Sequence, residues 1–289
     1  MFNEIKNSFR NGSMLGRLIY LNLIFFVSLK VLVVVLFLFN ITTMNTNDFL
    51  GLAADSHTVI KKPWTLLSYM FVHNDFIHLI FNLLWLYFGG SIFLRYLNSR
   101  QLLSTYILGG VVGGLFYIFA FNYFPAFKDA LTQSTAIGAS ASVLAILIGI
   151  ATYAPNYNVN LTLVGTIKLK YIAIASVILD LILIPDGNAG GHIAHLGGAF
   201  YGFLFARQLS RGKDISIWFN TLISFIVSSF NSRPKMKTVH KTPMTDDQWR
   251  ENKVQKQNEI NQILDKIAQS GYESLTKNEK DILFRESKK

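Results

Sequence analysis

Residues 18–39 read LIYLNLIFFVSLKVLVVVLFLF, with Lys30 the single charge in the run. A helix needs about 20 mostly apolar residues to cross about 30 Å of hydrocarbon, and this stretch has that length. Lys6, Arg10 and Arg17 precede it, as they would precede a signal peptide. The apolar stretch is too long for a signal peptide, however, and no small-residue cleavage site follows it. It reads as a retained first transmembrane span.

Working outward, five further stretches are apolar enough to be read the same way. The six spans predicted are 18–40, 76–97, 102–124, 138–154, 170–185 and 190–209. The fourth carries Gly, Ala and Ser at the cost of hydropathy, which suits a helix surrounded by other helices rather than by lipid. The whole chain agrees: 51% of its 289 residues are hydrophobic and its mean hydropathy is +0.34. The fold class is therefore all-α, a polytopic membrane protein with a six-helix transmembrane bundle and a small helical tail. With no cysteine, disulfides, thiol nucleophiles and thiolate-bound metals are excluded. The net charge of +10 would suggest nucleic acid for a soluble protein. Here the cations flank apolar runs, where they meet anionic lipid and set topology, so no nucleic-acid partner is expected.

Lys and Arg in short loops mark the cytoplasmic side. One side receives Lys6, Arg10 and Arg17, then Arg95 and Arg100, Lys168 and Lys170, and Arg207, Arg211 and Lys213. The other receives Lys61, Lys62 and Lys128. Both termini are thus predicted to be cytoplasmic, with loops 41–75, 125–137 and 186–189 facing outward. Residues 1–17 form the cytoplasmic N-terminal segment. Ile215–Phe230 could be read as a seventh span, but Ser216, Asn220, Ser224 and Ser228 recur every four residues and give it a polar stripe, so 210–230 is expected to be an interfacial amphipathic helix. Residues 231–289 form a cytoplasmic basic tail with 13 Lys/Arg and 9 Asp/Glu. Within it, 231–250 read as a disordered linker and 254–286 as a helical hairpin. The hairpin has a Thr276–Glu279 capping box and Gly271 between its helices.

Polar residues inside a membrane are costly and are functional candidates by default. Three groups stand out: His73, His78 and Asn82 at the outer start of span two; Gly138-Ala139-Ser140-Ala141 at that of span four; and Ala194-His195 with Gly198 and Gly202 at that of span six. At about 1.5 Å per residue, Asn82, Ser140 and His195 each lie within about 10 Å of the outer end of their span. A serine hydroxyl becomes a useful nucleophile when a neighbouring base takes its proton, and His195 is the available base. The Asn82 amide, the His78 imidazole and the Ser140 backbone N–H are the candidate oxyanion donors. No Asp or Glu is evidently placed to orient His195, so the expectation is a dyad. Asp180 in span five and Lys30 in span one have no account at this stage. Gly198 and Gly202 on span six, with Gly138, Ala141, Ser142 and Ala145 giving span four a matching small surface, predict close contact of spans four and six.

These three segments resemble the rhomboid family: its HxxxxHxxxN segment (His73, His78, Asn82), its GxSx motif (Gly138, Ser140) and its AHxxGxxxG motif (Ala194, His195, Gly198, Gly202). They occur in the family's order, and the resemblance covers 18–209, the rhomboid-like transmembrane domain. Trp64 sits where rhomboids carry an aromatic in their membrane-embedded first loop, and the tail is similar to short extensions of some bacterial rhomboids. The resemblance implies an intramembrane serine protease without cofactor or metal. Ser140 and His195 would be catalytic, His78, Asn82 and Ser140 would form the oxyanion hole, and the substrates would be transmembrane helices of other proteins. It also implies entry gated by the fifth helix and the loop 185–191. Two positions depart from the pattern: Ala141 replaces the usual second glycine, and Leu144 stands where many members place an aromatic against the histidine.

Other readings compete. Ser142 is a rival nucleophile, but it points about 200° away along the helix and is expected to pack. His192 is a rival base, expected as a loop or capping residue. His73 is expected to order the outer loop, and Gly113–Gly114 to form a packing notch. Convergence of His73, His78, His192 and His195 on zinc would be a metal site, although no HExxH is present. A catalytically silent adaptor or chaperone for transmembrane helices is the main alternative, and a transporter a third, disfavoured by the lack of an internal repeat.

Overall fold

The computed structural model describes residues 12–41, 46–161, 165–230 and 246–286. Six helices occupy the six apolar stretches: α1 (Met14–Leu38), α2 (Phe76–Tyr96), α3 (Ser99–Tyr123), α4 (Ser140–Tyr153), α5 (Leu169–Ile182) and α6 (Ala189–Leu209). The largest boundary difference is at the first, which begins at Met14 rather than 18. Three of them, α1, α2 and α3, are long and apolar enough by themselves to cross a membrane. Helices α4 and α5 have 14 residues each, about 21 Å at the helical rise. Helix α6 has 21 residues, but its glycines and histidines dilute its hydropathy. The architecture is an all-α, largely helical bundle with the long apolar helices of a polytopic membrane protein.

Local chemistry starts the helices where they start. Asp75 caps α2 by accepting from the His78 N–H at 2.7 Å. Asn98 and Gln101 form a reciprocal capping box at α3, and Ser13 accepts from the Gly16 N–H at α1. The lipid-facing side is equally plain. Protein covers Leu15, Leu18 and Asn22 of α1, while Val31 and Phe37 further along are 57% and 81% uncovered. Apolar surface of that extent marks a membrane or partner face.

The centre of the bundle is a seam of small residues. A Cβ on Gly198 would lie 2.1 Å from the Ala141 carbonyl oxygen, and one on Gly202 2.1 Å from that of Ala145. From α3, a Cβ on Gly109 would lie 2.3 Å from the Ala145 Cβ, and one on Gly113 2.6 Å from the Ala194 carbonyl oxygen. Helices α3, α4 and α6 therefore meet backbone to backbone, as small-residue spacing allows in membranes. Gly114, expected to share a notch with Gly113, packs instead toward Leu52 of the first loop.

That loop is ordered by polar contacts. Strands β1 (Leu52–Ala53) and β2 (Thr135–Ala136) pair antiparallel, Leu52 opposite Ala136. The loop after α1 is thereby stitched to the segment before Ser140. The Trp64 indole N–H donates to the Phe49 carbonyl at 2.9 Å. The Lys30 ammonium, unexplained in sequence, donates to the Asn74 carbonyl and lies 5.5 Å from the Phe26 ring centre. Residues 155–169, read only as a connection, contain a hairpin of β3 (Asn158–Leu161) and β4 (Gly165–Lys168), paired antiparallel.

Helix α7 (Ile217–Phe230) follows. The Asp214 carboxylate joins its start to α3, accepting from the Gln101 side chain at 2.9 Å and from the Ser216 N–H at 2.8 Å. These hydrogen bonds hold the Asp214 carboxyl below the usual carboxylate range against the opposing effect of burial.

The chain divides into two compact units, Met1–Asn231 and Ser232–Lys289. The second contains α8 (Asp246–Ser270) and α9 (Lys277–Glu286). Residues 246–250, assigned by sequence to the linker, are thus helical. Residues 231–245, the rest of that linker, and 1–11 of the N-terminal segment lie outside the described residues. Glu279 accepts from the Thr276 N–H at 2.7 Å and pairs with Lys266 at 2.9 Å.

Candidate functional site

The approach to Ser140 is fixed from three directions. The Gly138 N–H donates to the Tyr69 carbonyl at 2.9 Å, the Ala139 N–H donates to His73 Nε2 at 3.4 Å, and β2 pairs with β1 just upstream. Gly138 sits at φ +114°, and a Cβ there would lie 2.8 Å from the His78 ring. Both facts call for glycine: other residues avoid that backbone region, and the ring fills the space. Ser140 is the first residue of α4, where unpaired N–H groups and the helix dipole favour an anion.

His73 is held on its other side, with Nδ1 3.3 Å from the Phe71 carbonyl. To donate there and accept from Ala139, the ring must be neutral with its proton on Nδ1. Burial, reinforced by the neighbouring His78, pushes His73 down to about 4, which keeps it in that form. His73 thus orders the loop at the head of α4.

A cavity of about 840 Å³ opens onto this point. It is lined by His78 and Asn82 of α2, Ser140 and Leu144 of α4, Asp180 of α5 and His195 of α6. The Asn82 side chain donates to the His78 carbonyl at 2.9 Å, which uses one of its two N–H donors. The rings of His73 and His78 are 5.2 Å apart. Ser142 faces the opposite way, buried against Met70 with its Oγ 3.8 Å from the sulfur.

The sequence missed the third partner of the histidines. Asp180 Oδ1 lies 2.7 Å from His195 Nδ1 and 2.8 Å from His192 Nδ1. This corrects the expectation that no carboxylate is placed against His195. It also corrects the view of His192 as a loop or capping residue, since His192 lies within α6 and its side chain is only 16% exposed. Such lengths fit charge-assisted hydrogen bonds from both Nδ1–H groups to one carboxylate oxygen. Each ring then keeps Nε2 as its acceptor. Among the described residues no hydrogen bond joins Ser140 to His195, although both face the same cavity.

Metal chemistry has a different candidate set from the four histidines considered in sequence. Among the described residues, the donor atoms that cluster are those of Asp180, His192 and His195, all within 4.8 Å of one another. The two hydrogen bonds already account for that proximity. The one signal of this cluster legible in the sequence was a lone carboxylate inside an apolar span.

Comparison with known proteins sets this geometry in a family. The Rhomboid domain matches residues 61–212, and a family of unknown function, DUF6576, matches 244–289. RHOMBOID-like protein 12, mitochondrial, of Arabidopsis thaliana is 27% identical over 158 residues, 52% of this chain and 47% of that protein. Presenilin-associated rhomboid-like protein A, mitochondrial, of Danio rerio is 30% identical over 135 residues, 46% of this chain and 34% of that protein. Rhomboid protease GluP of Bacillus subtilis (strain 168) is 27% identical over 190 residues, 65% of this chain and 34% of that protein. The matched stretches thus span less than half the length of each of these relatives. With the domain match covering more than half of the sequence and falling on the helices that line the cavity, the chain belongs to the rhomboid family.

Proposed function

We propose that this chain is an intramembrane serine endopeptidase that cleaves peptide bonds in or near the transmembrane helices of other proteins. One observation carries the reading: in a rhomboid-family chain, Ser140, His195, His78 and Asn82 from three helices line a single cavity. In the proposed reaction Ser140 Oγ attacks the scissile carbonyl carbon while its proton passes to His195 Nε2. The oxyanion is held by the Ser140 N–H, the free N–H of the Asn82 amide and the His78 ring. The C–N bond then breaks, and His195 returns the proton to the departing amine. Water, deprotonated in turn by His195, attacks the acyl carbon; the ester C–O bond breaks, the acid leaves, and His195 returns the proton to Ser140 Oγ. No metal or cofactor takes part.

Four finer points belong to the same proposal. Helices α1–α6 form six spans, the shorter α4 and α5 reaching across with help from neighbouring helices. Both termini lie on the cytoplasmic side and the cavity opens outward, a reading supported by the Lys/Arg distribution. The enzyme is of bacterial type, supported by the extent of the match to the Bacillus subtilis protein, 65% of this chain. The α7 helix lies in the membrane interface, supported by Ile217, Trp218 and Phe225, which are 60%, 61% and 68% uncovered.

The test is cleavage of a fluorogenic transmembrane substrate by purified protein in lipid. Wild type should cleave, Ser140→Ala and His195→Ala should not, and a chelator should change nothing. Asn82→Ala should lower turnover by about 10²–10³-fold if it binds the oxyanion. Equal cleavage by wild type and both dyad variants would refute the assignment. Cleavage by none of them would favour the silent adaptor.

A further inference from the structure

We propose that Asp180 is a positioning residue for His195, fixing the imidazole's tautomer and direction so that Nε2 faces the Ser140 hydroxyl. The inference rests on the protease reading for its catalytic meaning, but its structural core can be tested without it.

Asp180 is the sole acidic residue in α1–α6. A carboxylate inside an apolar helix is expensive, so its position asks for a reason. Asp180 is buried at 8% exposure on a helix whose Ile178, Leu179 and Leu181 are about half uncovered. The side chain turns inward to α6, where Oδ1 meets His195 Nδ1 at 2.7 Å. An ionised carboxylate can only accept, so the proton between them is carried by His195 Nδ1. That assigns the lone pair to Nε2, the nitrogen needed to take a proton from Ser140.

After that transfer the imidazolium carries a positive charge, and the carboxylate beside it stabilises the ion, as the aspartate does in a serine-protease triad. His192 supplies a second N–H to the same oxygen at 2.8 Å, which helps keep the carboxylate aimed. His78 of α2 and Asp75 just before it also line the cavity, but among the described residues the carboxylate hydrogen-bonded to His195 is that of Asp180, so the orienting role falls to it. Leu144 stands where the family's aromatic support for the histidine is expected, and the carboxylate takes over holding the ring by a hydrogen bond.

The experiment combines kinetics with histidine NMR on the full chain in lipid. In wild-type protein labelled with ¹⁵N-histidine, His195 should show the Nδ1–H form, and in Asp180→Leu it should move toward Nε2–H. In the cleavage assay, Asp180→Asn should lower kcat by about 10²–10⁴-fold while KM changes by less than about threefold, and Asp180→Glu should recover part of the loss. A residue that merely joined two helices would lower thermal stability and leave both the tautomer and kcat of the folded fraction unchanged. If Ser140→Ala abolishes cleavage but Asp180→Asn keeps wild-type kcat, the inference fails and the protease reading stands. If wild type does not cleave, the protease reading fails, and the tautomer measurement alone decides whether Asp180 sets the state of His195. An unchanged tautomer in Asp180→Leu overturns the inference in either case.

Discussion

Helices α4 and α5 are both apolar and 14 residues long, yet protein buries ten residues of α4 and three of α5. Helix α4 is locked between α3 and α6 by glycines that leave no room for a methyl group. Helix α5 presents Tyr171, Ile174, Leu179 and Ile182 outward, each more than half uncovered, and is fastened to α6 through the buried carboxylate of Asp180. The lesson is that the proposed nucleophile stands on the best-packed helix of the bundle and the partner of the proposed base on one of the least packed. Such a division suits the proposed function, in which the nucleophile would stay fixed while a substrate helix enters beside it.

The comparison breaks first at the seam. Gly198→Leu would drive a side chain into the Ala141 carbonyl, and overpacking of this kind costs about 3 kcal/mol or more. Thermal unfolding in detergent should show a large fall in Tm together with loss of cleavage; a near-wild-type Tm would mean that α4 and α6 are not locked.

Acid should reveal the next weakness at the head of α4. His73 is uncharged in the fold, with its pKa lowered from 6.5 to about 4, so its contribution to stability is present above pH 6.5 and is lost as pH falls toward 4. Wild type should therefore lose Tm through that window more steeply than His73→Phe. Parallel curves for the two would remove His73 from this role.

A gentler contrast concerns motion. Backbone amides of α5 should exchange hydrogen faster than those of α4, because local opening follows sparse packing; equal protection would contradict the comparison. The smallest effect belongs to the outer face of α5, where Leu179→Ala should change stability by no more than about 0.5 kcal/mol. A loss of several times that, read from Tm, would place α5 inside the packed bundle.

Much of this arrangement was legible in the chain because a membrane leaves few choices. The runs that became α1, α2 and α3 declare themselves by length and apolarity, and small residues at four-residue spacing on α4 and α6 announce their contact. The pairing of Leu52 with Ala136 could not be read, since two-residue strands in polar loops carry no alternation and their partners are far apart in sequence. The β3–β4 pair was missed although Asn158-Val159-Asn160-Leu161 alternates polar and apolar, because four residues make a weak signal beside the long apolar runs. Asp180 was visible as an anomaly but not as a partner. It precedes His192 and His195 by 12 and 15 residues, and only the crossing of α5 on α6 brings them together. Helical spacing predicts neighbours along one helix, and it is silent about which face of the next helix is met.

The reactivity of the Ser140 hydroxyl decides whether the proposed function holds. Treat the protein in lipid with a fluorophosphonate, then locate the adduct by mass spectrometry in wild type and His195→Ala. A phosphonyl group is expected on Ser140 in wild type and is expected to be nearly absent in the variant. An adduct on another residue, or equal labelling of Ser140 without His195, would contradict the proposed function.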